Sequence, residues 1–444
     1  MAYRFVHTAD LHLDSPLKSL AMRDPELAET VGTASREALA GIVRLCLDEG
    51  VDALMIAGDL FDGERNSVKT ANFLAGELRK LGEAGIETFI VRGNHDATTA
   101  FGRGVDLPEG VHVFDGRGRA ATSARNDRVH VHGVSFRDQR APESLLPRYT
   151  RPAGEGIHIG LMHTSLGGAE GHDSYAPCAL ADLVSHGFTY WGLGHVHGRT
   201  VHHQGGDSAV VMPGMPQGRD MGEAGAKSVT LVTIGDDGTV LLEEESTGLV
   251  EFARVEVALD AATGWDEALA RAERTLIEAP TARERLVARL TITGESRDAW
   301  KLLRDADLFR DELTEMLRRD DPAGRSGIHV EKVEMRVASP SLAPERHAAN
   351  DRGGATAMAE LRATMRAVAA EPEFMALARE RAARMMKAVP SHSGALRGAV
   401  FGTTEAEADA MLNETIERGL ALVAARLEGA ERERAEVGGG DGRA

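Results

Sequence analysis

Val51-Asp52-Ala53-Leu54-Met55-Ile56-Ala57-Gly58-Asp59-Leu60-Phe61-Asp62 is a strand-length apolar run that stops on a glycine and a carboxylate. Near-continuous apolarity, rather than alternation, marks a strand covered on both faces, as in layered α/β proteins. The same pattern recurs on either side. Tyr3 to His7 reads as a strand before Asp10-Leu11-His12, and Ile86 to Val91 as one before Gly93-Asn94-His95-Asp96. Between them lie two helical patterns. One runs from about Ser35 with Leu39, Ile42, Val43, Cys46 and Leu47 on one face and Gly50 at its exit; the other carries Phe73, Leu74, Leu78 and Leu81. Strand, polar motif and helix in repetition predict an α/β sandwich with a functional group at each strand end.

Further strands are predicted at 129–134, 157–162, 190–193, 209–212 and 228–234, the last turning through Gly235-Asp236-Asp237-Gly238 into 239–242. The first domain is expected to span residues 1–248. A strand, helix, strand, helix, strand pattern then predicts a small α+β domain over 249–338. Residues 339–354 read as a polar linker and 355–430 as a helical region with Leu412, Ile416, Leu420, Val423 and Leu427 in one stripe. The glycine-rich end, 431–444, is expected to be disordered.

Composition narrows the function classes. The chain has 444 residues, 42% hydrophobic and 27% charged, the balance of a soluble globular protein. A formal net charge of −18 argues against a broad basic surface for nucleic acid, whose affinity comes mainly from phosphate neutralisation, so any grip on DNA is local or borrowed from a partner. Cys46 and Cys178 have neither zinc-type nor redox-type spacing. No membrane span and no secretory leader is read, and the expected location is cytoplasmic.

The strand-end residues are all of metal-binding type. Asp10 and His12, two apart in extended chain, would point the same way and offer one oxygen and one imidazole to an ion. Asp59, at the end of a central strand, can bridge two ions through its two oxygens. Asn94 is a neutral oxygen ligand, His95 can reach a substrate oxygen, and Asp96 can hold that imidazole in one tautomer. His163 and the pair His195 and His197 follow further apolar runs. A capping Asp, a turn Gly-Asp or a lone histidine would each be ordinary in isolation. Five motifs at five strand ends are poorly explained as coincidence.

The ordered set Asp10-x-His12, Gly58-Asp59, Gly93-Asn94-His95-Asp96, His163 and Gly194-His195-Val196-His197 resembles the calcineurin-like metallophosphoesterases, and within them the DNA-repair exonucleases of the SbcD type. His12-Leu13-Asp14-Ser15-Pro16, the 171–178 stretch, 190–195 and Gln217-Gly218-Arg219 are similar to a bacterial YhaO-like branch. The resemblance covers residues 3 to 235 and implies an α/β/β/α sandwich, with the α+β unit as a cap and a helical C-terminal region. It implies that Asp10, His12, Asp59 and His197 hold one divalent ion, typically manganese, and that Asp59, Asn94, His163 and His195 hold the other. It implies that His95 contacts the phosphate, with Asp96 behind it. On that resemblance a metal pair would acidify a water and neutralise the phosphate, while His95 would serve the leaving oxygen.

Arg92 and Arg219 are secondary candidates for substrate binding, and Asp220, where a basic residue or histidine is expected, puts a DNA role for that loop in doubt. DNA is the expected substrate and a homodimer is compatible with the pattern. An SMC- or AAA-like ATPase is the partner implied for the C-terminal region. The rivals are a phosphoesterase for a substrate other than DNA and a regulatory scaffold for an ATPase.

Overall fold

The computed structural model describes all residues except 1, 16, 18–24, 63–67, 98–105, 153–154, 168–174, 206, 280–284, 321–326, 340–351, 389–403, 405–406, 418, 421–422, 424–426 and 428–444. Two compact units result, residues 1–253 with 280–287, and residues 254–279 with 288–444.

The first unit is built on two six-stranded sheets. In one, β1 (Tyr3–Thr8), β2 (Ala53–Ala57), β3 (Glu87–Val91) and β4 (Val111–Val113) run parallel, and β11 (Ser228–Ile234) and β12 (Val240–Ser246) extend it antiparallel, in the order β12-β11-β1-β2-β3-β4. The other contains β5 (Arg119–Thr122), β6 (Val129–Gly133), β7 (Ile157–His163), β8 (Tyr190–Gly194), β9 (Thr200–Gly205) and β10 (Ser208–Met212), in the order β5-β6-β7-β8-β10-β9. Side-chain alternation divides the labour. Val6, Leu54, Ile56 and Ile90 face Leu39, Ile42, Leu74 and Leu78 of α1 (Pro25–Asp48) and α2 (Val68–Glu83). Phe5, Met55 and Phe89 face Val129, Val131, Ile159 and Tyr190 of the second sheet. The outer face of that sheet packs Met162, Trp191 and Leu193 with Phe188 and with Leu183 of α3 (Leu180–Ser185). Each such side chain contributes about 1.5–3 kcal/mol by burial, and the layers are helix, sheet, sheet, helix, as the resemblance implied.

Two features depart from the sequence reading. α1 begins at Pro25, ten residues earlier than the pattern placed it, because Leu27, Val31 and Ala34 pack on Met221, Val250 and Phe252 and so hold a stretch containing Thr30, Gly32 and Thr33 helical against propensity. Strands β4, β5 and β9 were not anticipated; they are largely exposed edges without a buried stripe.

The second unit holds a three-stranded sheet in the order β13 (Val250–Leu259), β14 (Arg285–Glu295), β15 (Ile328–Ala338), with α4 (Trp265–Ile277), α5 (Ala299–Arg304) and α6 (Ala306–Asp320). Trp265 pins α4, its backbone N–H donating to Asp298 and its indole to Glu312. Helices α7 (Arg352–Ala369) and α8 (Pro372–Ala388) follow, α7 starting inside the expected linker. Most of that linker, and the 431–444 tail, lie outside the described residues. In the C-terminal stripe Leu412, Ile416 and Leu420 are half-buried, while Val423 and Leu427 are exposed. No helix among the described residues is long and apolar enough to cross a membrane.

Candidate metal centre

The motifs after β1, β2, β3, β7 and β8 converge at one end of the two sheets. The first loop is fixed to the second by parallel backbone bonds, Asp10 N to Gly58 O, His12 N to Asp59 O and Leu13 N to Leu60 O. The sequence reading set Asp10 and His12 on one face through extended chain, and the structure does not keep them extended. Both are left-handed, φ 54° and 43°, because the loop must turn to follow residues 58–60. Asp59 (φ 53°) and His195 (φ 107°) are strained in the same sense, so four of the anticipated ligands sit in backbone that L-residues rarely adopt. Gly58 and Gly93 are required by contact: a Cβ would lie 2.4 Å from His163 Nδ1 at Gly58 and 2.2 Å from Asp59 Oδ1 at Gly93.

Ligand atoms of Asp10, His12 and His197 lie within 4.8 Å of one another, and so do those of Asp59, His163 and His195. Asp59 lies between the groups, its Oδ2 3.4 Å from His163 Nε2 and 3.9 Å from His12 Nε2. Asn94 Oδ1 is 3.0 Å from His163 Nε2. His163 Nδ1 faces the Ala57 carbonyl at 3.0 Å, which makes that nitrogen the donor and leaves Nε2 as the atom turned toward the centre. The Nε2 atoms of His12 and His197 stand 3.3 Å apart. The backbone N–H of His195 donates to both Asp10 oxygens, and that of His95 to Asp59 Oδ1.

Electrostatics follow from burial. Burial pushes the Asp10 carboxyl up against its histidine neighbours. Burial also acts upward on Asp59, but the His163, His12 and His95 imidazoles outweigh it and hold its carboxyl below the usual range. Burial disfavours charge on His163, yet Asp59 and Asp10 push it up to about 9. His195 is driven down to about 4 by burial and by its histidine neighbours. Two buried carboxylates therefore draw positive charge to a pocket lined with imidazoles, and His12 Nδ1 is buried without a hydrogen-bond partner among the described residues. An oxygen and nitrogen donor set without thiolate fits divalent ions of hard to intermediate character.

The carboxylate on His95 is Asp62, not Asp96. Asp62 Oδ1 lies 2.8 Å from His95 Nδ1, and this contact raises the imidazole pKa despite partial burial. Asp96 is fully buried and accepts the backbone N–H groups of Leu60, Phe61 and Gly93, so it shapes the loop. Burial and the Asp59 charge push its carboxyl up to about 7. His12, Asp62 and His95 form a third group of closely spaced ligand atoms, which the sequence reading missed. Its signal was Asp62 three residues after Asp59. Glu223 was missed too: its Oε1 lies 2.8 Å from His197 Nδ1. Arg219 is not a free cation for substrate, since Glu223 engages its guanidinium. Arg92 Nε is buried without a partner among the described residues. Asp220 caps the 3-10 turn Met221–Glu223 by accepting Gly222 N. Of the histidines outside the motifs, His186 is buried, His202 and His203 are half-buried, and His172 is outside the described residues.

Residues 3–199 match the family model of the calcineurin-like phosphoesterases, and residues 252–338 that of the middle domain of metallophosphoesterase YhaO. The chain thus carries a calcineurin-like metallophosphoesterase domain. Its particular combination, that domain followed by a YhaO-type middle domain, places it among homologues of YhaO and of the Mre11 and SbcD proteins. It is 35% identical over 237 residues to the uncharacterized metallophosphoesterase YhaO of Bacillus subtilis, covering 52% of this chain and 57% of that protein. It is 26% identical over 278 residues to the DNA double-strand break repair protein Mre11 of Methanopyrus kandleri, 57% of each chain. It is 30% identical over 194 residues to the D subunit of the SbcCD nuclease of Rhodobacter capsulatus, 41% of this chain and 42% of that one. The chain therefore spans about half the length of these relatives.

Proposed function

We propose that the chain is a metal-dependent phosphodiesterase acting on DNA as an exonuclease in repair, with two divalent ions, manganese foremost. The observation that carries this reading is Asp59, one buried carboxylate whose Oδ2 faces both ligand groups, 3.4 Å from His163 and 3.9 Å from His12. Asp10, His12, Asp59 and His197 would hold one ion, and Asp59, Asn94, His163 and His195 the other. When bound, the pair supplies Lewis acidity toward a water and the phosphate.

The protein's own groups do the rest. His95, with its side chain 42% exposed, can reach substrate. Asp62 fixes its Nδ1 as donor and raises its basicity, so Nε2 can hold the proton that the departing alkoxide needs. Asp10 and Asp59 are oriented by the His195 and His95 backbone N–H groups, which keeps their free lone pairs on the centre. DNA as substrate is supported by relatives whose names are a double-strand break repair protein and one component of a nuclease. The latter name also supports a companion, for which we propose an SMC- or AAA-like ATPase docked on the C-terminal region, with a homodimer compatible; the −18 charge favours borrowed DNA contacts.

End-labelled single- and double-stranded DNA, incubated with manganese, magnesium or chelator, tests the proposal. Manganese-dependent release of nucleotides is expected. Hydrolysis confined to small phosphodiesters would replace DNA as substrate, and metal binding without any turnover would leave a scaffold.

A further inference from the structure

The loop after β10 contains Gln217-Gly218-Arg219, whose purpose the proposed hydrolysis does not explain. Gln217 anchors it: Nε2 donates to Val250 O, and Oε1 accepts from the N–H groups of Leu249 and Val250. That anchoring sets Arg219 between two carboxylates. On one side Nη2 donates to Glu223 Oε1 at 2.5 Å, and Nε and the backbone N–H also donate to Glu223. On the other side Nη1 lies 3.5 Å from Asp62 Oδ2 and 3.4 Å from Ser15 Oγ. Ser15 Oγ donates to Asp62 Oδ2 at 2.6 Å, and its backbone N–H donates to His12 O.

Each carboxylate in turn holds one histidine by its Nδ1, Glu223 holding His197 and Asp62 holding His95, both at 2.8 Å. Both rings thereby keep Nε2 for the centre. We propose that Arg219 is a positioning residue, a single guanidinium that ties the orienter of the His197 ligand to the orienter of His95 and so keeps ligand and proton donor in register. It rests on the hydrolytic reading above. A planar fork serves two carboxylates at once, which a lysine ammonium on a flexible stem cannot do with the same geometry. The side chain is only 20% exposed and its guanidinium is engaged by Glu223, Asp62 and Ser15, so its role runs through them.

The test uses the full chain with Arg219→Lys, Arg219→Gln, Glu223→Gln and the Arg219→Lys/Glu223→Gln pair. Manganese binding is followed by calorimetry, folding by circular dichroism, and activity by steady-state hydrolysis of bis(p-nitrophenyl) phosphate at saturating manganese. Arg219→Lys should fold and still bind two ions. Its kcat should fall by about tenfold or more with KM within about threefold, and manganese affinity by several-fold. Glu223→Gln should weaken one ion by about 10- to 100-fold. The pair should be less than multiplicative, as expected for one network. Arg219→Gln, neutral but able to reach Glu223, should resemble Arg219→Lys. Full kcat in folded Arg219→Lys, or multiplicative losses in the pair, would overturn the bridge. A wild type that binds two ions but hydrolyses nothing would sink the functional reading alone. The bridge would then stand on lowered manganese affinity in Arg219→Lys and fall on unchanged affinity.

Discussion

His130-Val131-His132 and His195-Val196-His197 are the same tripeptide in two settings. The first lies within β6, whose pairing with β7 keeps it extended, so Val131 is fully buried between the sheets and both histidines project from the outer face. There His132 Nε2 meets His158 Nδ1 at 3.0 Å, His158 stacks on Phe188, and the remaining ring contacts with His130 and Phe188 are tilted. The second lies past the end of β8. Its His195 has φ 107°, Val196 is 45% exposed, and the two histidines face Asp10, Asp59 and Glu223. Histidines at this spacing are packing material inside a strand and candidate ligands where the chain leaves the strand among carboxylates.

The sharpest way to break this contrast is to remove side chains from each setting. Asp59→Asn is expected to weaken both ions and lower phosphodiester hydrolysis by about 10³-fold or more, and His197→Ala to lose one ion. His130→Ala should leave metal content at two ions and hydrolysis within about twofold. Elemental analysis and steady-state rates on the same preparations check it, and a metal loss in His130→Ala equal to that in His197→Ala would erase the distinction. Next in size, His95→Ala should retain both ions while turnover falls by about 10²- to 10³-fold. Released metal, or a rate within about threefold of wild type, would put His95 among the ligands instead of beside the substrate.

The layers and the anticipated ligands were legible because both depend on local pattern. Apolar runs gave β1, β2, β3, β7 and β8, and the polar residues that follow them are the ones brought together. What could not be read depends on contacts distant in the chain. Asp62 reaches His95 across 33 positions and Glu223 reaches His197 across 26; the place of Asp62 three residues after Asp59 is the one local hint, and nothing local separates Glu223 from a surface acid. Asp96, adjacent to His95 in sequence, was the natural local choice. It is instead consumed by three backbone donors, since the turn after β3 points its side chain at residues 60 and 61. Exposed edges such as β5 left no apolar signature for the same reason: their order comes from the neighbouring strand.

The acid side of stability sharpens the comparison from the packing cluster. Burial, helped by repulsion from His158, His130 and His186, drives His132 from 6.5 down to about 4. Between these values the unfolded chain binds the proton and the folded chain does not, so this contribution is intact above about pH 6.5 and is lost as pH falls toward 4. At roughly 1.4 kcal/mol per unit, the loss approaches about 3 kcal/mol at pH 4. His132→Gln, measured by urea unfolding at pH 7 and pH 4.5, is therefore expected to lose less stability on acidification than wild type. An identical pH dependence would mean that the buried outer-face histidines titrate normally.

The smallest effect isolates the valines at the centres of the two tripeptides. Val131, paired with Ile159, belongs to the inter-sheet core and has no exposure, so Val131→Ala removes two methyl groups from a close-packed site and leaves a cavity. The expected cost is about 2 kcal/mol, from transfer of the lost methyls and incomplete collapse around them. Val196 is nearly half exposed, and Val196→Ala should stay within about 0.5 kcal/mol because so much of its surface already faces outward among the described residues. Both variants keep the histidines, and hydrolysis at a temperature well below melting should be retained in each. Equal destabilisation of the two would show that residue 196 is covered in solution. The setting of its histidines would then differ less from that of His130 and His132 than the buried and exposed valines now imply.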